Sequence, residues 1–285
     1  MRCDAHVHIV GPPDHYPQIR TRTYLAGLAP LVELQRHAAT RGISRFVLVQ
    51  PSFYGADNTL LLEGLDILGN RGRGVAVVDL ETATPEILAD CARRGVRGLR
   101  LNLYSTAAGR EVRKLGDSLS QMAKLARIVD WHVEVIAAID VLAANADLLD
   151  RAEVPIIIDH YGLYSQHSPQ SAEARRLLEL LRNPQVWIKL SAPYRVSANP
   201  LNTRPNKKWL AAILACAEDR CVWGSDWPHT PRHGLQEDGA VALPYRALSY
   251  EKLVDDFLDA VGSNEVAEQI MTDNPARLYG FRGSA

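Results

Sequence analysis

Two histidines one residue apart, His6 and His8, stand near the start of the chain within Cys3-Asp4-Ala5-His6-Val7-His8-Ile9. In an extended strand residues i and i+2 project to the same side. Strict alternation therefore points both imidazoles one way, with Asp4 beside them and Ala5, Val7 and Ile9 on an apolar opposite face. Such a pair can ligate a divalent metal or hydrogen-bond an oxygen on which charge develops. It can equally be two hydrogen-bonded core histidines, and the rest of the chain must decide between these readings.

The elements that would position the pair are legible as short β-branched runs separated by helical patterns. Seven further strands are expected at Arg45–Gln50, Gly74–Asp79, Val96–Asn102, His132–Ile136, Val154–His160, Val186–Ser191 and Cys221–Asp226. Between them lie amphipathic stretches with recognisable ends. Leu31 to Thr40 is closed by Gly42, and Thr84-Pro85 offers an N-cap followed by proline at the first helical position. Runs as apolar as Ile156-Ile157-Ile158 suit a parallel sheet covered on both faces. Roughly eight β/α units in a chain of this length match one closed (β/α)8 TIM barrel, so the chain, residues 1–285, is expected to be a single α/β barrel domain. A doubly wound open sheet is the main rival, weakened because Gly72, Gly74 and Gly95 do not make the G-x-G-x-x-G turn of dinucleotide binders.

Composition narrows the function classes. The chain has 285 residues, 47% hydrophobic and 23% charged, with 32 basic and 33 acidic side chains for a formal net charge of -1. That balance gives no field to gather nucleic acid or an anionic membrane, so neither is an expected partner. No apolar run approaches the roughly 18 residues needed to cross a bilayer, and no signal-type segment precedes the first strand. A cytoplasmic protein is expected. Cys3, Cys91, Cys216 and Cys221 lack C-x-x-C spacing and read as small buried hydrophobes. The sequence does not set the oligomeric state.

In a barrel, the C-terminal strand ends converge on one mouth, where catalytic loops are built. Those ends carry ionisable or polar groups on six strands: His6 and His8; Gln50 with Ser52 and Tyr54; Arg100 and Asn102; Asp159-His160; Ser191 with Arg195 beyond; and Asp226 with Trp227-Pro228-His229. Singly, each has an ordinary structural explanation. Together they favour a site.

Asp4-Ala5-His6-Val7-His8, Ile158-Asp159-His160 and Gly224-Ser225-Asp226-Trp227-Pro228-His229, in that order, resemble the amidohydrolase superfamily. The stretches Val49-Gln50-Pro51-Ser52-Phe53-Tyr54-Gly55-Ala56-Asp57-Asn58 and Asp273-Asn274-Pro275-Ala276-Arg277-Leu278-Tyr279 resemble its branch of 2-pyrone-4,6-dicarboxylate hydrolases and sugar lactonases. The resemblance implies hydrolysis of a small carboxylated lactone. Asp226 would be the general base that activates water, and His6, His8 and His160 would surround the carbonyl oxygen. It further implies Arg100 and Arg195 as carboxylate clamps, a task suited to a guanidinium fork. Ser52, Tyr54 and Asn58 would be substrate-side residues, and His229 would hold Asp226 or stack nearby.

The chain also departs from the superfamily pattern. Metal-dependent members usually add a lysine or carboxylate from strand four and a histidine from strand five, where this chain has Arg100, Glu134 and Ile136. Two-metal chemistry is not expected. A single divalent ion such as zinc on His6, His8, His160 and Asp226 is compatible with the ligand types, whereas resemblance to the pyrone hydrolases implies no cofactor. A second basic pair after strand four is replaced by Tyr104-Ser105-Thr106, which leaves the substrate open among a monocarboxylated lactone, a sugar-acid lactone and a sulfonated muconolactone. Glu134 suits a sugar hydroxyl or, alternatively, pairs with Arg100. Three competing readings remain: a metal-dependent decarboxylase of an aromatic or unsaturated acid, a lactone isomerase, and a non-catalytic binding protein.

Overall fold

The computed structural model describes residues 1–104, 114–231 and 241–281. The strands are β1 Arg2–Val7, β2 Ile43–Val49, β3 Gly72–Ala76, β4 Val96–Asn102, β5 His132–Ile136, β6 Ile156–Ile158, β7 Val186–Ser191 and β8 Cys221–Gly224. They form one parallel sheet in chain order. Its first and last strands meet beyond β8: Asp226 N donates to His6 O at 2.9 Å, and His8 N to Trp227 O at 2.8 Å. The sheet therefore closes into the expected (β/α)8 barrel, leaving no open edge. Expected and observed bounds coincide for β4, β5 and β7. β1, β3, β6 and β8 end two or three residues early, and at two of those ends the backbone turns left-handed, with φ of 49° at His160 and 59° at Asp226.

The helices are α1 Leu31–Ala39, α2 Thr59–Leu68, α3 Pro85–Arg93, α4 Lys114–Ile128, α5 Ile139–Ala144, α6 Ala146–Asp150, α7 Ala172–Leu180, α8 Lys207–Ala217, α9 Tyr250–Val261, α10 Asn264–Glu268 and α11 Asn274–Tyr279. Their apolar stripes pack on the outer face of the strands in one continuous core that includes Leu34, Phe46, Leu48, Leu65, Leu99, Ile188 and Phe257. α3 begins as its sequence predicts, with Thr84 accepting from Ile87 N and Pro85 at the first position. Inside the barrel a second cluster joins Cys3, Ala5, Val47, Val49, Val75, Ile157, Trp187 and Val222 to Tyr279 and Phe281 of the chain's tail. Arg73 donates to the carbonyls of Tyr279 and Gly280, and the guanidinium groups of Arg45 and Arg73 stack on Phe281, so the tail seals the base. All four cysteines are free. Among the described residues, no helix is long and apolar enough to cross a membrane.

Simple alternation fails in β1, and the failure matters. Asp4 pairs with Phe46 and Val7 with Leu48, so three steps along β1 match two along β2. This is a β-bulge, a device common beside active sites. The extra residue lets Ala5 and His6 both face the interior, while Asp4 and Val7 face the helices. Asp4 is thus not beside the histidines as alternation predicts. Its carboxylate accepts from Ser225 N at 2.9 Å and from Tyr250 Oη of α9 at 2.9 Å, tying the two closing strands to the outer layer. Gly224 sits against the bulge. A Cβ there would lie 2.6 Å from His6 Cβ and 2.9 Å from His6 N, so glycine is what lets His6 reach this position.

Candidate active site

At the barrel mouth His8, Ser52, Arg100, His160, Arg195 and Asp226 line a narrow cleft of about 20 Å³, room for about one water, with Tyr24, Pro51, Ile136 and Thr230 completing the wall. His6 lies just beneath, fully buried, its ring 5.0 Å from that of His8 and 4.7 Å from that of His160. His160, Ala192, Asp226 and His229 all have left-handed backbones in the loops that follow β6, β7 and β8. Such conformations cost about 1–3 kcal/mol each in a residue with a side chain, and they gather where a site must be shaped.

Asp226 is the electrostatic centre. Its Oδ2 accepts from Tyr194 Oη at 2.6 Å and from Arg195 Nε at 2.7 Å. Its Oδ1 has no hydrogen-bond partner and lies 3.4 Å from His8 Nε2 and 3.7 Å from His6 Nε2. Burial pushes its pKa up, but Arg195, His160, His8 and His6 outweigh burial and hold it well below the usual carboxylate range. Asp226 is therefore ionised. Burial, reinforced by neighbouring cations, keeps His6 neutral; burial likewise lowers the pKa of His8 and His160.

The histidines are fixed from behind. His8 Nδ1 lies 2.7 Å from Val49 O, and a carbonyl only accepts, so the hydrogen of neutral His8 is on Nδ1 and Nε2 presents a lone pair to the cleft. Ser191 Oγ holds His160 at Nδ1, 2.8 Å away. His6 Nδ1 receives a hydrogen bond of 3.1 Å from Lys189 Nζ. Lys189, at the inner face of β7, also donates to Glu134 Oε2 and lies 3.8 Å from Asp159 Oδ1. This buried trio of ionisable side chains forms the floor under His6.

Other expected site residues behave differently. Arg195 is not a free clamp: beyond Asp226 it donates from Nη2 to Thr230 Oγ1 at 2.6 Å. Arg100 donates from Nη1 to Gln50 O at 2.8 Å, and its buried Nε has no partner. Glu134 pairs with Lys189 rather than Arg100 and is fully buried, where burial and Asp159 raise its pKa against the pull of Lys189. It does not line the cleft. Tyr54 points away, its hydroxyl accepting from Gly11 N at 3.2 Å. Asn58 exchanges hydrogen bonds with the backbone of Val77 at 2.7 and 3.2 Å, joining the strand-three side of the barrel to α2 instead of facing the cleft. His229 stacks edge-on against Tyr194 at 6.0 Å and touches Asp226 only through the backbone. Ser105 and Thr106 lie outside the described residues.

Sequence reasoning missed Lys189, Tyr194, Tyr24 and Thr230. Lys189 had a signal: it is the single charge in Val186-Trp187-Ile188-Lys189-Leu190-Ser191, and period two places it with Trp187 and Ser191 on the inner face. Tyr24 and Thr230 sit in loops without a pattern to mark them.

Ligand atoms of His6, His8 and Asp226 lie within 4.8 Å of one another, as do those of His6, Asp159 and His160, so the mouth contains side chains able to hold a metal. A parallel eight-stranded barrel with this histidine and aspartate set at its mouth is the architecture of the amidohydrolases. The chain belongs to the amidohydrolase family, whose model matches residues 3–281. Among curated relatives it is 30% identical over 286 residues to a 4-sulfomuconolactone hydrolase of Rhizobium radiobacter, covering 97% of this chain and 89% of that one. It is 29% identical over 292 residues to a 2-pyrone-4,6-dicarboxylate hydrolase of Comamonas testosteroni, with the same 97% and 89% coverage. A solved structure of a probable 2-pyrone-4,6-dicarboxylic acid hydrolase from Acinetobacter baumannii, with citric acid bound, superposes with a TM-score of 0.78 at 28% identity, covering 98% of this chain and 99% of that one.

Proposed function

We propose that this protein is a cytoplasmic hydrolase that opens a lactone bearing an acid group, with Asp226 as general base. The observation that carries the reading is the free oxygen of a fully buried, ionised carboxylate, Asp226 Oδ1, facing His6 Nε2 and His8 Nε2 in a cleft walled by two arginines. Asp226 Oδ1 and His8 Nε2 are both acceptors, a pair suited to a water molecule that points its two hydrogens at them. Asp226 takes one proton as the water oxygen bonds to the lactone carbonyl carbon. The negative charge that develops on the carbonyl oxygen is met by donors preorganised in a dry site. When the ring C–O bond breaks, the proton passes from Asp226 to the departing oxygen, and a hydroxy acid or its tautomer is released. His8 is thus assigned to the water rather than to the carbonyl oxygen, because its Nδ1 hydrogen is already bonded to Val49.

Arg100, with an unpartnered Nε at the cleft, suits the substrate's acid group. An acid that also competes for Arg195 would loosen its hold on Asp226 Oδ2 and make the base stronger on binding. The names of the relatives, a sulfonated muconolactone hydrolase and a pyrone dicarboxylate hydrolase, fit an anionic cyclic ester. Four free cysteines fit a reducing compartment.

The reading needs no metal. A ligand must offer a lone pair, and His8 Nε2 and Asp226 Oδ1 do so. With Lys189 donating to Nδ1, the hydrogen of His6 is on Nε2, and His6 would join His8 and Asp226 as a ligand only if that hydrogen moved to Nδ1. The test is turnover of 2-pyrone-4,6-dicarboxylate, a sulfonated muconolactone and sugar-acid lactones, with and without chelator, with products weighed by mass spectrometry. Gain of one water, insensitive to chelator and abolished in Asp226→Asn, is expected. Loss of carbon dioxide, or activity that chelator removes, would replace this reading with a metal-dependent decarboxylase.

A further inference from the structure

Beneath the cleft, Lys189, Glu134 and Asp159 form a charge cluster that touches no cleft surface, all three being buried at 0–1% exposure. Charged groups are expensive to bury, and an apolar trio of similar volume would serve packing as well or better. The geometry suggests why they are retained. A lysine ammonium has three hydrogens and no lone pair. Here one is directed to Glu134 Oε2, one to His6 Nδ1 at 3.1 Å, and the third faces Asp159 Oδ1 at 3.8 Å.

We propose that Lys189 is a positioning residue that fixes the tautomer of His6, so that His6 and His8 present opposite faces of imidazole chemistry to the same cleft. Because Lys189 can only donate, His6 Nδ1 must accept, and the single hydrogen of the neutral ring stands on Nε2. That hydrogen has no partner within the protein and points toward Asp226 Oδ1, 3.7 Å away. His8, donating to Val49 O, is held in the reverse tautomer. One imidazole is thus a donor for a carbonyl oxygen and the other an acceptor for water, with one residue between them at the end of β1. Without Lys189 the preference would invert. The next groups at His6 Nδ1 are the Asp159 carboxylate at 3.4 Å and Glu134 Oε1 at 3.5 Å, and a carboxylate that only accepts would draw the hydrogen to Nδ1. Glu134 and Asp159 hold Lys189 in place.

This inference rests on the lactonase reading for its catalytic meaning, but its central claim concerns a hydrogen atom and can be read without substrate. In 15N-histidine-labelled protein, long-range 1H–15N NMR distinguishes the two tautomers, with His6 and His8 assigned from spectra of His6→Asn and His8→Asn. We expect His6 as the Nε2–H form and His8 as the Nδ1–H form; the Nδ1–H form at His6 in the wild type would overturn the proposal outright. In the double variant Lys189→Met with Glu134→Leu, which removes the ion pair as a unit and leaves no new donor beside His6, His6 is expected to switch to Nδ1–H. Its kcat should fall about a hundredfold with KM changed less than about threefold, since the lost donor acts on the transition state. A folded double variant whose His6 keeps the Nε2 hydrogen, or whose kcat is unchanged, would show that Lys189 does not set the tautomer. Should the double variant fail to fold, the wild-type spectrum alone decides. Should no lactone be opened by the wild type while the expected tautomers are found, the substrate reading fails and this one stands.

Discussion

Tyr194 reaches Asp226 from behind the cleft wall, so replacing it probes the base without touching substrate. Its hydroxyl supplies one of the two hydrogen bonds to Asp226 Oδ2, at 2.6 Å, the other coming from Arg195 Nε at 2.7 Å. A hydrogen bond to a charged group contributes about 1.5–3 kcal/mol, and one pKa unit corresponds to about 1.36 kcal/mol. Tyr194→Phe should therefore raise the pKa of Asp226 by about one to two units. The sign follows from its role. The base works only when ionised, so activity is present above its pKa and lost as the pH falls through it. In the wild type that pKa is held well below 3.8, so kcat/KM should be flat through weakly acidic pH, whereas Tyr194→Phe should show an acid limb one to two units higher. At neutral pH, where Asp226 is ionised in both, the variant's more basic carboxylate should keep or raise kcat. The assay is kcat/KM from pH 2 to 8 with circular dichroism at each point to confirm the fold. A uniform drop at every pH with no displaced limb would mean that Tyr194 acts elsewhere. A wild-type limb near pH 6 would show that Arg195 and the histidines do not hold the carboxylate as described.

Gly224→Ala forces a Cβ to within 2.9 Å of His6 backbone; overpacking of this kind costs about 1–3 kcal/mol, and both the urea midpoint and kcat should fall. Arg100→Met should raise KM for an acid-bearing lactone by about 10- to 100-fold, the loss of a charged hydrogen bond, and leave an uncharged lactone unaffected in a steady-state comparison. Asp4→Ala strips the acceptor from Ser225 N and Tyr250 Oη, two buried donors, and should lower stability by about 1–3 kcal/mol for each, measured by denaturant unfolding.

The barrel was readable because its signals are local. Apolar strands of three to seven residues, caps such as Thr84-Pro85 and a strict alternation with helices follow from steric and burial rules that hold within a dozen residues. The identity of the mouth was readable too, since strand ends in a barrel converge wherever their side chains carry charge. What could not be read was pairing across the barrel. Arg195 lies just past β7 and Glu134 in the middle of β5, but nothing in their own segments says that one grips Asp226 and the other Lys189, since those partners come from other strands. Asp4 was misassigned for a subtler reason. Period two is a property of a regular strand, and the bulge between Asp4 and Val7 arises from the fit of β1 against β2, which no single strand encodes.

The way the barrel is sealed bears on how the molecule is made. Its first strand is clasped by residues that follow β8, and its base is plugged by Tyr279 and Phe281 against the arginines of β2 and β3. A nascent chain emerging from the ribosome therefore carries β1, histidines included, without a partner on one side until Asp226 and Trp227 have been synthesised. The interior cannot be shielded from water in stages, and a chain halted short of Phe281 presents an unfinished cylinder open at its floor.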